Sequence, residues 1–321
     1  MPAGKKHQLL RLKGDESLSH GMSGFFYRLI VFLSRALGLW VFLVFAWVVS
    51  TAYFFFFPFR VRNSVRFYEA LFPERSWIYH LWCAWRQFHQ FAAGFTDRFL
   101  LQEFDDIVYT SEGWEHLERI VRMNSGGILL MSHMGNWEVA AHFLKRKDRS
   151  IRLLLYMGVK HREQIERIQK ESVSQSGVRI QAVDQHGGSP WDIMEGIRFL
   201  NSGGLVSLTG DLIWKKDQRT VKAKLLGHEV YLPETPHLFA LLSGAPLLSF
   251  FAFRTGKRKY HITLSEPVYL RAFSREERPQ AIRGSVQKYA DVLEETLKRH
   301  PLQWYHFEPF LGSKPSEEIA G

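Results

Sequence analysis

Cysteine is almost missing. The chain has one, Cys83, which excludes an internal disulfide and a multi-cysteine metal site. The body is therefore not built for an oxidising compartment. No GxSxG is present, which argues against a serine hydrolase of the α/β type. No HExxH is present either, so a zinc hydrolase lacks its ligand pair. There is no long Lys/Arg run, no zinc-finger spacing, no aromatic RNP-type motif and no internal repeat. A nucleic-acid tail, an RNA-binding sheet and a solenoid all lose support.

Charge is missing from one stretch. Residues 36 to 59, ALGLWVFLVFAWVVSTAYFFFFPF, hold none, and Ser50 and Thr51 are their only aliphatic hydroxyls. A bilayer core needs about 20 apolar residues in a helix, so this segment is long enough to span. Arg28, Arg35, Arg60, Arg62 and Arg66 flank it, placed to meet lipid phosphates. Trp40 and the run Phe54 to Phe57 suit the interfaces. The run is too long and starts too late for a cleaved signal peptide. Basic residues on both sides leave orientation open, and a monotopic anchor in one leaflet is the alternative to a span. A buried core helix is the bland reading, but core helices normally keep a polar face.

What is abundant fits that picture. The 321 residues are 46% hydrophobic and 15% aromatic, with 26 Phe, 10 Trp and 11 Tyr. That excludes a disordered chain. The net charge is +10 and the pI about 9.6. Such a balance suits nucleic acid, an anionic membrane surface, or an acidic substrate or carrier.

Beyond residue 100, strand and helix signals alternate. The pattern predicts helices over Val108–Asn124, Asn136–Lys147, Arg162–Gln175, Pro190–Asn201, Pro236–Ser243 and Arg283–Arg299. It predicts strands over Gly127–Ser132, Ile151–Met157, Val178–Val183, Leu205–Thr209, Pro246–Phe253 and Tyr260–Leu264. The expected fold is α/β, with a mixed, largely parallel central sheet flanked by helices and an N-terminal hydrophobic membrane-anchor helix. The expected division is a basic N-terminus and anchor, 1–65, and a catalytic domain, 66–321. In such sheets the chemistry lies beyond the carboxyl ends of the strands. His133 and Asp211 both fall there.

His133 and Glu138 form a His-x4-Glu spacing in SHMGNWE, residues 132 to 138. With 14 His and 32 acidic residues, chance alone gives roughly 1.4 such pairs. The sequence holds three, the others being His161/Glu166 and His261/Glu266. Five residues along a helix turn the side chains of the second pair about 140° apart. An odd separation along a strand sends the third pair to opposite faces. Only His133/Glu138 straddles a strand-to-helix turn, where Gly135 permits a sharp bend and Asn136 is a candidate N-cap. Glu138 then sits in the first helical turn, favoured by the dipole. A carboxylate holding one ring nitrogen would let His133 take a proton from a hydroxyl. A capping carboxylate beside a solvated histidine fits the same spacing, and geometry alone leaves both open.

SHMGNWE, preceded by GGILLM, resembles the catalytic block of the lauroyl/myristoyl lipid A biosynthesis acyltransferases. Those belong with the wider HX4D/E glycerolipid acyltransferases. Three further blocks resemble the family in order: GIRFLNSGGLVSLTGD at 196 to 211, KAKLLGHEVYLPETPHLFALLSGAPLLSFFAFR at 222 to 254, and RHPLQWYHFEPF at 299 to 310. The resemblance covers about residues 100 to 310. It implies a glycerolipid acyltransferase-like fold and transfer of a fatty acyl chain from acyl carrier protein or acyl-CoA to a lipid hydroxyl. It implies His133 as general base with Glu138 as its partner, and no metal or redox cofactor. The acceptor it implies is a lipid A precursor or a related glycolipid, and the place a bacterial inner membrane with the catalytic domain on the cytoplasmic face. Asp211 matches the family's aspartate as a candidate substrate-orienting group, beside Asn136; Arg219, Lys222 and Lys224 fall where cations would hold phosphates. Trp304 reads as packing. The sequence departs from the family at Leu212, where Gln is usual, and at Leu225-Leu226-Gly227, where an aromatic pair precedes the glycine. A non-catalytic lipid-binding scaffold and an acyltransferase for another lipid are the competing readings.

Overall fold

The computed structural model describes residues 40–103, 107–158, 179–183, 190–213 and 218–312. The chain divides into two units, Met1–Tyr53 and Phe54–Gly321. In the first, the described residues form most of helix α1 (Trp40–Phe56), with Trp40, Leu43, Val44, Phe45 and Trp47 exposed. The rest of α1 and all that follows belong to the second unit.

The 17 described residues of α1, at about 1.5 Å each, fall short of a hydrocarbon core of about 30 Å. Pro58 ends it, having no N–H to continue the ladder, and opens α2 (Pro58–Leu71) as an N-terminal proline. Among the described residues no single helix is long and apolar enough to cross a membrane. Leu43–Phe56 and Pro58–Leu71 pass that test only as a broken pair. The anchor helix expected over 36 to 59 thus ends at Phe56, and the described residues do not show it as a span. α2 buries Val65, Phe67, Tyr68 and Leu71 in the main core, so its length serves packing. α3 (Trp77–Glu103) is a second long helix that the strand–helix pattern did not anticipate.

The central sheet has seven strands in the order β1-β9-β8-β2-β5-β3-β4. These are β1 (Val108–Glu112), β2 (Gly127–Met131), β3 (Leu153–Gly158), β4 (Arg179–Val183), β5 (Leu205–Thr209), β8 (Leu247–Gly256) and β9 (Lys259–Leu264). Pairing is parallel throughout except between β8 and β9. Helices α4 (Trp114–Arg122), α5 (Trp137–Lys147), α6 (Pro190–Asn201), α7 (Thr235–Ser243) and α8 (Arg278–Arg299) accompany it. The interior strands are apolar runs, as expected when both faces are covered. One face contributes Ile128, Leu130, Val206 and Leu247 to a cluster with α2, α3, α7 and α8. The other contributes Leu129, Leu205 and Leu248 to a cluster with α4 and α5.

One local reading changes, and a stretch left without an element gains one. Val108–Glu112 is an edge strand paired with β9, not the start of a helix. Gly113, at φ 75°, breaks it from α4; a Cβ there would meet the Leu264 carbonyl oxygen at 2.1 Å. The stretch around Leu226-Gly227 is the turn of an antiparallel hairpin, β6 (Thr220–Leu225) and β7 (His228–Pro233). Both turn residues have positive φ, 51° and 77°, the geometry that a two-residue hairpin demands. α8 holds the hairpin through Gln287, which bonds both backbone groups of Lys224, and Glu294, which accepts from Leu226 N. The helix expected over 162 to 175, with His161/Glu166, lies outside the described residues. His261 bonds Thr110 at 2.8 Å and sits 3.7 Å from Glu112, across the β1–β9 pair.

Candidate active site

β2 and β5 run parallel with Met131 opposite Thr209. His133 and Asp211 each lie two residues further on, so the register itself brings them together at the carboxyl edge. Gly210 N donates to Met131 O at 2.7 Å and closes the two strand ends. A Cβ on Gly210 would press within 2.8 Å of the Tyr289 ring and Leu130.

Asp211 grips His133 with both oxygens. Oδ1 is 3.0 Å from Nδ1 of the ring, and Oδ2 accepts the His133 backbone N–H at 2.8 Å. Trp304 donates its indole N–H to Oδ2 at 2.9 Å. The Asp211 side chain is fully buried, while that of His133 is 35% exposed. Burial pushes the Asp211 carboxyl up. The adjacent His133, His306 and the Trp304 N–H outweigh that and hold it below the usual carboxylate range. An ionised Asp211 makes Nδ1 the donor and leaves Nε2 with the lone pair.

The turn after His133 is shaped by Gly135, at φ 70°. A Cβ would stand 2.0 Å from the Ala252 carbonyl oxygen. Gly135 N donates to Gln303 O and Asn136 N to Ala252 O. Asn136 caps α5: its Oδ1 accepts from Glu138 N and Val139 N, and its Nδ2 donates to Gly94 O on α3. Both ends of its amide are thus occupied within the protein. Glu138 is buried in the first turn of α5.

The closing block packs beneath this turn. Tyr305 N donates to His133 O at 2.8 Å. Gln303 bonds both backbone groups of Arg254, and Arg254 pairs with buried Asp97 of α3 at 2.6 Å. Gln87 of α3 donates to the Trp304 carbonyl. Trp304 is 1% exposed and packs on Phe67. It therefore packs as expected, and it also touches Asp211. His306 stacks on Trp304 with ring centres 5.2 Å apart and meets the His133 ring edge-on at 5.8 Å. Burial pulls His306 down to about 4, assisted by His133 and opposed by Asp211. Sequence reasoning passed over His306; its one signal was membership of the block that also holds Trp304.

The cationic candidates lie on and beside the β6–β7 hairpin. Arg219 is exposed just before β6. Lys222 on β6 is 2.8 Å from Glu229 of β7 and rests over Tyr231. Lys224 is exposed, its backbone tied to Gln287.

A buried carboxylate orienting a partly exposed histidine, on the carboxyl edge of a mostly parallel sheet, is an arrangement that can move a proton. The family model for bacterial lipid A biosynthesis acyltransferases matches residues 83–311. The chain belongs to that family and is an acyltransferase for lipid A-like substrates. No curated protein matches it.

Proposed function

We propose that this chain transfers a fatty acyl group from a thioester donor, acyl carrier protein or acyl-CoA, to a hydroxyl of a lipid A precursor or related glycolipid. One observation carries the reading: Asp211 holds the Nδ1 side of a partly exposed His133 inside a chain of this family. His133 Nε2 takes the hydroxyl proton as the oxygen attacks the thioester carbonyl. The C–O bond forms, the C–S bond breaks, and the imidazolium returns the proton to the departing thiolate. Asp211 fixes the ring and stabilises the imidazolium. Glu138 serves the same centre from α5 as the second carboxylate, and Asn136 acts through the helix start it caps. Arg219 and Lys222 face donor or acceptor phosphates, Lys222 exchanging Glu229 for phosphate. The thioester supplies the activation, so the step draws on no metal or redox group.

The apolar segment 36–59 attaches the chain to the bacterial inner membrane, with the catalytic part, 66–321, on the cytoplasmic face. Purified full-length protein, given labelled acyl donor and a lipid A precursor, should form the acylated lipid. His133→Ala should abolish this with the circular dichroism unchanged; retained turnover rules out His133 as the base. Asp211→Asn and Glu138→Gln, assayed side by side, separate the two carboxylates, and both should lower kcat more than they raise KM.

A further inference from the structure

α3 is apolar on two sides. One side carries Cys83, Ala84, Gln87 and Phe88 into the core and toward the closing block. The other should be polar if it met water, yet its first turns present Ile78 and Trp82, exposed by 73% and 48%, beside Trp77 at the helix start, exposed by 59%. Ile78, Trp82 and Trp85 follow one another at helical spacing on a single face. Trp85 meets Phe55, itself 70% exposed, at 6.3 Å, which joins this face to the end of α1. Arginines rim the patch: Arg86 lies over Trp82 and Arg75 over Tyr79.

We infer that this patch is a membrane-facing foot that seats against an anionic bilayer, its α3 face adding to the end of α1. Contiguous exposed apolar surface of this kind marks an interaction site in a folded protein. Tryptophan beside arginine is the chemistry of the headgroup layer, where indole bridges apolar and wet surroundings and the cation meets phosphate. The same helix accepts Asn136 at Gly94 and holds the Trp304 carbonyl through Gln87. The foot thereby sets how His133 is presented to a lipid acceptor. This rests on the proposed lipid acceptor, and the experiment separates the two.

The test uses the full-length chain with Cys83→Ala. An environment-sensitive label is placed at Ile78→Cys and, for reference, at the exposed Ser150→Cys. Both proteins are reconstituted in phosphatidylcholine–phosphatidylglycerol vesicles. Brominated lipid should quench the Ile78 label several-fold more than the Ser150 label, and aqueous iodide should show the reverse order. Pure phosphatidylcholine should weaken the difference. Equal iodide quenching at both positions overturns the foot, as does shielding of the Ile78 label only on adding acyl carrier protein. In the second arm, Ile78→Glu with Trp82→Glu should raise KM several-fold for a vesicle-embedded acceptor and leave turnover of a detergent-dispersed acceptor unchanged. An unchanged KM also overturns the foot. Absence of turnover in detergent by the unmutated chain would instead overturn the acyltransferase reading.

Discussion

Asp211 shows what a single residue gains from its neighbours. A lone buried carboxylate is costly and tends to take up a proton. Here three N–H groups converge on it, from the His133 ring, the His133 backbone and Trp304. Trp304→Phe keeps most of the aromatic packing and removes one of these donors. Losing a hydrogen bond to a buried charged group costs about 1–3 kcal/mol, or roughly 5- to 150-fold in rate. The expected outcome is a fall of that order in kcat with little change in KM, read from initial rates. A fall in KM-dependent binding alone would show that Trp304 acts on substrate and not through Asp211. His306 stands behind the same cluster, and its neutral ring spares His133 a second positive charge nearby.

At the scale of elements, the strand–turn–helix unit of β2 and α5 is held by its backbone. Gly135 needs positive φ and sits against Ala252, so the turn and β8 touch main chain to main chain. Gly135→Ala adds the left-handed penalty of about 1–2 kcal/mol and a collision with the Ala252 carbonyl. It should lower the melting temperature by several degrees and displace His133 enough to remove turnover. Wild-type melting with full activity would show that the turn accommodates a side chain. Much of this unit was readable in advance: the apolar run, Gly135, the Asn136 cap and the acidic first turn all carry local signals. The edge strand Val108–Glu112 was not. Its neighbours in sequence look helical, and only pairing with β9 makes it a strand. Helix α3 escaped for a related reason. Its exposed positions include Trp77, Ile78, Trp82 and Phe91, which blur the polar face that a helical period depends on.

At the scale of the whole molecule, the core sets a pH limit. His237 of α7 is 1% exposed and shares a 2.8 Å hydrogen bond with Ser285 of α8. Burial pulls it down to about 4. The unfolded chain binds a proton here near pH 6.5 and the folded chain only near 4, so the unfolded state gains protons first as pH falls. Stability contributed by the neutral ring is present above pH 6.5 and is lost progressively toward pH 4. At about 1.4 kcal/mol per unit this totals on the order of 3 kcal/mol. Urea midpoints measured from pH 7 to pH 4.5 should fall, and His237→Gln should flatten the slope. An unchanged slope in that variant would assign the loss to other groups. Asp211 adds the same sign lower down, its contribution disappearing as pH falls through a depressed carboxyl value.

The sequence by itself determined the α/β class and the family, and it marked the turn that carries His133. Hydrophobic period, turn glycines and helix caps are local, and four ordered blocks are a strong constraint even without coordinates. It singled out Asp211 as well, but as a substrate-orienting candidate. Tertiary structure decided its partner, because the parallel register of β2 and β5 joins residues 78 apart in sequence. It also brought in Trp304 and His306, which reach the site only because the closing segment passes under the His133 turn. And it decided the outer face of α3, where Ile78 and Trp82 remain outside the core. Which side of a helix with apolar residues all round is buried depends on what packs against it, and no local pattern records that.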